Sequence, residues 1–253
     1  STVAWMWHAN GGTTSANTDG SGATIASTIQ ANQTAGFSIV QWTGTGSAGT
    51  IAHGLSKAPE WIIMKNLETA TDWPVYHHKN TSAPETEKLT FNTTAATVDD
   101  NTTWNDTAPT STVFSVGTGS GTNENTDTYI AYCWHSVDGF SKFGKYVGNS
   151  NNDGSFIWLG FKPSFVLIKS TSTQYWMIQD SARWKFNPTD KPLFPSSTDA
   201  ESGLGAQNID LVSNGFKCRG TGATQNSSSH TYIYMAFAEH PFVGDGTNPT
   251  TAR

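Results

Sequence analysis

Gly36-Phe37-Ser38-Ile39-Val40-Gln41-Trp42-Thr43-Gly44, a Gly/Thr-rich turn, His53-Gly54-Leu55 and Pro59-Glu60-Trp61-Ile62-Ile63-Met64-Lys65-Asn66 form the stretch that decides the fold. The same frame returns as Gly139-Phe140-Ser141-Lys142-Phe143-Gly144-Lys145-Tyr146-Val147-Gly148, a Ser/Asn/Asp/Gly turn, Leu159-Gly160-Phe161 and Pro163-Ser164-Phe165-Val166-Leu167-Ile168-Lys169-Ser170. Gly36 and Phe37 recur as Gly139 and Phe140 at a spacing of 103 residues, and Pro59, Ile63 and Lys65 recur as Pro163, Leu167 and Lys169 at 104. Thr128-Tyr129-Ile130 returns as Thr231-Tyr232-Ile233, again 103 apart. Self-similarity at a fixed spacing is the mark of an internally duplicated architecture. The expected organisation is a strand and turn-rich connector at 1–35, one repeat at 36–138, a second at 139–242 and a terminal arm at 243–253.

Working outward from the frame, short apolar and aromatic runs separated by turn residues predict seven strands in each repeat. The first set falls near 37–43, 50–53, 60–66, 72–77, 88–92, 112–117 and 127–136. The second falls near 140–147, 155–159, 164–170, 175–179, 208–212, 215–219 and 230–238. Seven short strands with intervening turns predict an all-β protein built of two tandem β-sandwiches. Trp61 and Ile63 alternate with Ile62 and Met64, and Phe165 and Leu167 with Val166 and Ile168, so these strands are apolar on both faces. Such strands belong to the core of a layered stack rather than to a ligand surface.

Composition agrees. Hydrophobic residues make up 36% and charged residues 13%, both low for a globular chain, yet there are 10 Trp, 13 Phe and 7 Tyr. A disordered chain would lack those aromatics. The net charge of -6, with scattered Lys and Arg, disfavours nucleic acid, whose binding rests on clustered cations. No apolar run approaches the ~20 residues of a membrane span. Cys133 and Cys218 hold non-equivalent positions in the two repeats, which predicts two buried free thiols rather than a disulfide.

Val3-Ala4-Trp5-Met6-Trp7-His8 resembles the closing strand Ile130-Ala131-Tyr132-Cys133-Trp134-His135, which predicts an orphan N-terminal strand and a chain cut from a longer one. Asn17-Thr18-Asp19-Gly20-Ser21-Gly22 lacks the spaced carboxylates of a calcium loop and reads as a turn. Residues 180–205 interrupt the repeat with Pro188, Pro192 and Pro195 and read as a long ordered loop.

Chemistry-bearing residues are sparse. Neighbouring residues on a strand face opposite ways, so His77 and His78 do not converge on one ion. Neither a nucleophile elbow nor a phosphate-binding glycine loop is present, nor a Cys-x-x-Cys or His-Glu-x-x-His pattern, so no catalytic residue, metal or cofactor is assigned. Asp180 and Arg183 are spaced for a bidentate pair, either a ligand clamp or a loop anchor. Trp42, Trp104, Trp158 and Trp184 sit at strand ends or in polar loops, where exposed indoles suit carbohydrate stacking or a protein interface. Together with Asp180 and Arg183 they are the candidate ligand-binding residues. Trp73 and Trp176, at equivalent positions, read as core. Asn32, Asn80, Asn92, Asn101, Asn105 and Asn226 form sequons that arise from the abundance of Asn, Ser and Thr.

The frame at Gly36–Val40, His53–Leu55, Ala58-Pro59 and Ile62–Asn66 resembles a β-rich repeat domain in structural proteins of tailed bacteriophages, marine ones especially. Asn105–Phe114, Tyr129–Cys133, Ser141–Gly144 and Tyr232–Glu239 fit the same resemblance, which covers about residues 1–242. It implies a non-enzymatic virion protein, part of a tail fibre or surface appendage acting in host adhesion, assembled as a homotrimer beside other virion proteins. A host-surface glycan or protein is the implied partner. The alternatives are a capsid decoration protein, and a glycan depolymerase drawing carboxylates from Asp180, Asp190, Asp199 and Glu201.

Overall fold

The computed structural model describes residues 4–9, 15–17, 22–201, 203 and 205–241. The expected arm at 243–253 and Thr18–Ser21 of the turn cluster lie outside the described residues. The chain forms two compact units. The first comprises the described residues of Met6–Phe91 and Thr97–His135, the second those of Ser1–Trp5, Asn92–Ala96 and Ser136–Arg253. The protein is all-β.

In the first unit the strands are β1 (Ser15–Asn17), β2 (Ser27–Asn32), β3 (Phe37–Thr43), β4 (Gly49–Ala52), β5 (Trp61–Asn66), β6 (Pro74–His77), β7 (Glu87–Thr90), β8 (Val98–Asp99), β9 (Val113–Val116) and β10 (Thr128–Trp134). A four-residue helix, α1 (Asn101–Trp104), precedes β9. One antiparallel sheet runs β1-β2-β3-β10-β5-β6-β7-β8, and β4 pairs with β9 in a second, two-stranded sheet. The core lies between them: Val40, Trp42, Met64, Tyr129, Ala131 and Cys133 of the large sheet meet Ile51, Ala52, Phe114 and Val116 of the small one.

The second unit holds β11 (Ser141–Val147), β12 (Phe156–Trp158), β13 (Pro163–Ser170), β14 (Met177–Asp180), β15 (Ile209–Val212), β16 (Gly215–Cys218) and β17 (Thr231–Ala238). Its sheets run β11-β17-β13-β14 and β12-β16-β15. Val166, Ile168, Tyr232, Tyr234 and Ala236 pack against Ile157, Ile209, Leu211, Phe216 and Cys218 to make a two-layer sandwich core. β3-β10-β5-β6 and β11-β17-β13-β14 thus share one connectivity, with the strand that comes last in the chain lying between the first two of its set.

The correspondence extends to side chains. Trp42 stacks on Tyr129 (5.4 Å, 16°) and meets Phe114 edge-on at 5.8 Å; Tyr146 stacks on Tyr232 (5.1 Å, 16°) and meets Phe216 edge-on at 6.0 Å. The Tyr129 hydroxyl donates to Ser120 O (2.8 Å) and accepts from Glu124 N (2.8 Å). The Tyr232 hydroxyl does the same with Ala223 O (2.7 Å) and Ser227 N (2.8 Å). Asn123 Nδ2 donates to Ser47 O (2.6 Å) and Gly117 O (3.0 Å) while Oδ1 accepts from Thr45 N (2.9 Å). Asn226 Nδ2 donates to Asn151 O (2.9 Å) and Gly220 O (2.9 Å) while Oδ1 accepts from Asn149 N (3.0 Å). In each unit a buried amide ties three separate backbone segments together. This satisfies backbone groups that no ladder reaches.

All fourteen strands expected from the pattern are present, with ends shifted by up to a few residues. Two expectations change. Residues 4–8 are in no strand, because the ladder position beside β3 is filled by β2, paired from Ser27↔Trp42 to Asn32↔Phe37. Trp5 and Trp7 instead pack as single rings, against Phe165 (5.6 Å) and Trp134 (6.1 Å) respectively. Residues 1–35 are also not merely connector, since β1 and β2 extend the large sheet. Cys133 and Cys218 are free and buried. Burial pushes the Cys133 thiol well above its ordinary range and raises Cys218 to about 12.

Candidate functional site

The four candidate indoles separate into two buried and two at the surface. Trp42 and Trp104 are 2% and 1% exposed and cannot meet a ligand. Trp42 shares the inward face of β3 with Val40, and the polar neighbours that suggest exposure, Gln41 and Thr43, point the other way. Trp104 ends α1, where Asp100 caps the helix by accepting from Thr102 N (2.8 Å), and the turn drives the indole edge-on to Tyr76 at 5.6 Å. Of the indoles assigned to the core, Trp176 is buried and Trp73 half-buried.

Trp158 is 60% exposed, on the edge strand of β12-β16-β15. Phe156, two residues earlier and hence on the same face, is 48% exposed. Lys142 donates to Trp158 O (3.1 Å) and holds its ammonium 4.1 Å from the ring centroid, a cation–π contact that orients the indole. Gly215 is the cross-strand partner of Trp158. A Cβ there would stand 2.0 Å from Ile157 O and 3.2 Å from Phe156 Cε2, so the strand needs glycine, and no side chain flanks the indole across the ladder.

Beside the aromatic pair lies a chain of charges. Phe156 pairs with Lys217, and Lys217 with Asp210. Asp153 accepts from Lys217 Nζ at 2.6 Å and lies 3.5 Å from Arg219 Nη1, while Arg219 Nε reaches Asp210 at 3.2 Å. The Lys217 hydrogen bond, aided by its charge, holds the Asp153 carboxyl below its usual range.

Trp184 and Phe186 belong to the long loop. Asn187 fixes that loop to the other edge of the same sheet, donating to Leu211 O (2.9 Å) and accepting from Leu211 N (2.9 Å). Trp184 Nε1 donates to Pro188 O (3.1 Å), Lys191 sits 5.8 Å from its ring, and Phe186 is 74% exposed. One small sheet therefore has an exposed aromatic pair, Phe156 and Trp158, at one edge, and the exposed Phe186 beside a half-buried Trp184 in the loop at the other. Of the sequence candidates, Trp158 and Trp184 are the two indoles that are not buried, and Phe156, Phe186 and Lys142 beside them are not among the candidates. The alternation Phe156-Ile157-Trp158 carried the signal for the first of these.

Asp180 and Arg183 do come together, as an anchor. Asp180 is 2% exposed; its Oδ1 accepts from Ala182 N (3.1 Å) and Arg183 N (2.9 Å), and its Oδ2 from Arg183 Nε (2.5 Å). Arg183 Nη1 continues to Lys191 O (2.7 Å) and Glu201 (2.8 Å), tying both arms of the loop to the end of β14. Removing one partner of a buried pair strands the other charge. Arg183→Ala is expected to cost about 3 kcal/mol in urea denaturation, and Arg183→Lys to recover little, since an ammonium lacks the planar fork. A loss under ~1 kcal/mol in Arg183→Ala, the size of an exposed pair, would remove the anchoring role.

His77 is buried with Nδ1 accepting from Lys79 N (3.0 Å), and His78 Nδ1 lies 3.9 Å from Glu60. His53 accepts from Leu55 N and sits 3.2 Å from Thr110 O, and burial lowers it to about 4, so it is a neutral tie. Among the described residues no group of three or more His, Cys, Asp or Glu is placed to hold a metal ion. Among them also, no helix is long and apolar enough to cross a membrane.

Fold and surface together define an all-β protein of paired sandwiches with an aromatic, charge-bordered sheet face in the second. Residues 1–241 match the family described as Domain of unknown function (DUF7483), and the chain belongs to that family. No curated protein and no solved structure matches it.

Proposed function

We propose that the chain is a non-enzymatic structural and adhesive module of a virion, part of a tail fibre or other surface appendage that self-associates as a homotrimer. The observation that carries adhesion over catalysis is the use made of the polar groups. Asp180 and Glu201, two of the carboxylates a depolymerase would need, both bind Arg183, whereas Phe156 and Trp158 stand exposed on a polar skin. An exposed aromatic patch rimmed by charge marks a contact surface. The virion setting rests on the resemblance carried by the Gly36–Val40 and Ile62–Asn66 frame and its second copy. A β-rich module with an apolar core needs no cofactor to fold, and symmetric association buries surface that small sandwiches leave open.

The test is a cryo-EM map of the intact particle, with immunogold labelling of this chain. Three-fold density projecting from the tail is the expected result. Regular copies across the capsid lattice would make it a decoration protein, and absence from the particle would overturn the proposal.

A further inference from the structure

We infer that the Phe156/Trp158 face of β12-β16-β15 is a binding platform for a neutral, pyranose-rich oligosaccharide. The inference rests on the adhesive reading above and adds its site and ligand class.

Three features select a sugar. The first is ring presentation: the indole and phenyl groups are 60% and 48% exposed on one face, beside a cross-strand glycine that adds no bulk. A pyranose offers a flat C–H face, weakly positive, that lies against the negative face of an aromatic ring.

The second is preorganisation. Lys142 holds the Trp158 backbone and ring at once, so little rotamer freedom remains to be lost on binding.

The third is charge balance. Asp153 and Asp210 neutralise Lys217 and Arg219 within hydrogen-bonded pairs. A nucleic acid needs cations free to neutralise phosphates, and an apolar protein surface would have to desolvate all four charges. Sugar hydroxyls donate to the carboxylates and accept from the ammonium and guanidinium groups with no counter-charge required.

The test is native electrophoresis of the whole chain through gels containing a soluble β-glucan, a mannan or a galactan. Retardation is expected in at least one gel. Trp158→Ala should weaken it at least about tenfold, as for an aromatic anchor at the centre of a contact, and Phe156→Ser should weaken it less. Both positions are exposed, so thermal unfolding of the variants should match the parent and separate binding from folding. Retardation in none of the gels overturns the inference, as does retardation that neither substitution changes. A dimer seen by light scattering that Trp158→Ala disperses, without retardation, overturns it in favour of a protein contact. Particle labelling distinguishes the two levels: a particle-bound chain that ignores all three glycans loses this inference and keeps its place in the virion.

Discussion

Asn226→Asp is expected to unfold much of the second unit at pH 7, and Asn123→Asp to do the same in the first. Each amide is fully buried and donates to two backbone carbonyls while accepting one backbone N–H. A carboxylate keeps the acceptor but turns its other oxygen toward two carbonyl oxygens, leaving both unpaired beside a buried charge. Each stranded polar group costs about 1–3 kcal/mol, and the carboxylate adds its own desolvation penalty, so the total is about 4 kcal/mol or more against a domain stability of ~5–15 kcal/mol. Desolvation and the two facing carbonyl oxygens disfavour the ionised form, so the buried acid's pKa is raised and the folded state takes up a proton rather than hold the bare charge, at a cost that grows with pH. The substituted unit should therefore be more stable at pH 4 than at pH 7, because the unfolded carboxyl releases its proton as pH rises and the folded one does not. Asn226→Ala avoids the charge and should cost less, with little pH dependence. Urea titrations at both pH values check this, and an Asn226→Asp protein within ~1 kcal/mol of the parent at pH 7 would show that the tie does not hold the segments.

Lys169 carries the second large effect. Its side chain is fully buried, with Nζ donating to Ser170 O (2.8 Å) and Ser172 O (2.9 Å), and burial lowers it to about 7 from an ordinary 10.5. The unfolded chain thus binds a proton between these values that the folded chain does not, so stability rises with pH from about 7. One proton gives up to about 1.4 kcal/mol per pH unit, or ~2 kcal/mol from pH 7 to 9. Above 9.0 the buried Cys133 and Cys218 thiols, both raised by burial, keep their protons while the unfolded thiols lose them, and these two opposing terms together outweigh what remains of the Lys169 rise. A maximum close to pH 9 is expected. His53, lowered to about 4, acts in a separate window, destabilising as pH falls through 6.5. Lys169→Met should abolish the rise from pH 7 to 9 whatever its effect on overall stability. A parent chain with a flat profile there would refute the assignment.

The sandwich strands were legible because alternation and turn residues repeat at a spacing of 103 or 104 residues, and each copy supports the other. What stayed hidden has physical reasons. β2 carries Ser, Thr, Gln and Asn on a sheet flank, so its apolar alternation is weak, and its burial falls off after Ile29. Trp104 looked exposed because Asn, Asp and Thr surround it, yet those residues cap and turn the chain, which is what buries the ring. Asn226 read as a chance sequon, although Asn123 stands 103 residues before it in the same register as the Tyr129/Tyr232 pair. Of the candidate ligand residues, Trp158 is exposed on the small sheet, Trp184 is half-buried in the loop beside it, and Asp180 and Arg183 anchor that loop. Adjacent charges of opposite sign spell a clamp and an anchor alike; only burial and partners separate them.

The place of β10 and β17 bears on how the chain is made. Among the described residues each is the last strand of its unit to leave the ribosome, and each lies between strands synthesised far earlier, β3 and β5 in one case and β11 and β13 in the other. Until it emerges, its two neighbours share no ladder and both present open edges, the condition that favours mispairing and aggregation. Each sandwich is thus committed late and as a whole. The nascent chain must keep its early strands soluble, and a surface of Thr, Ser, Asn and Gly with few charges serves that waiting period as well as the finished protein.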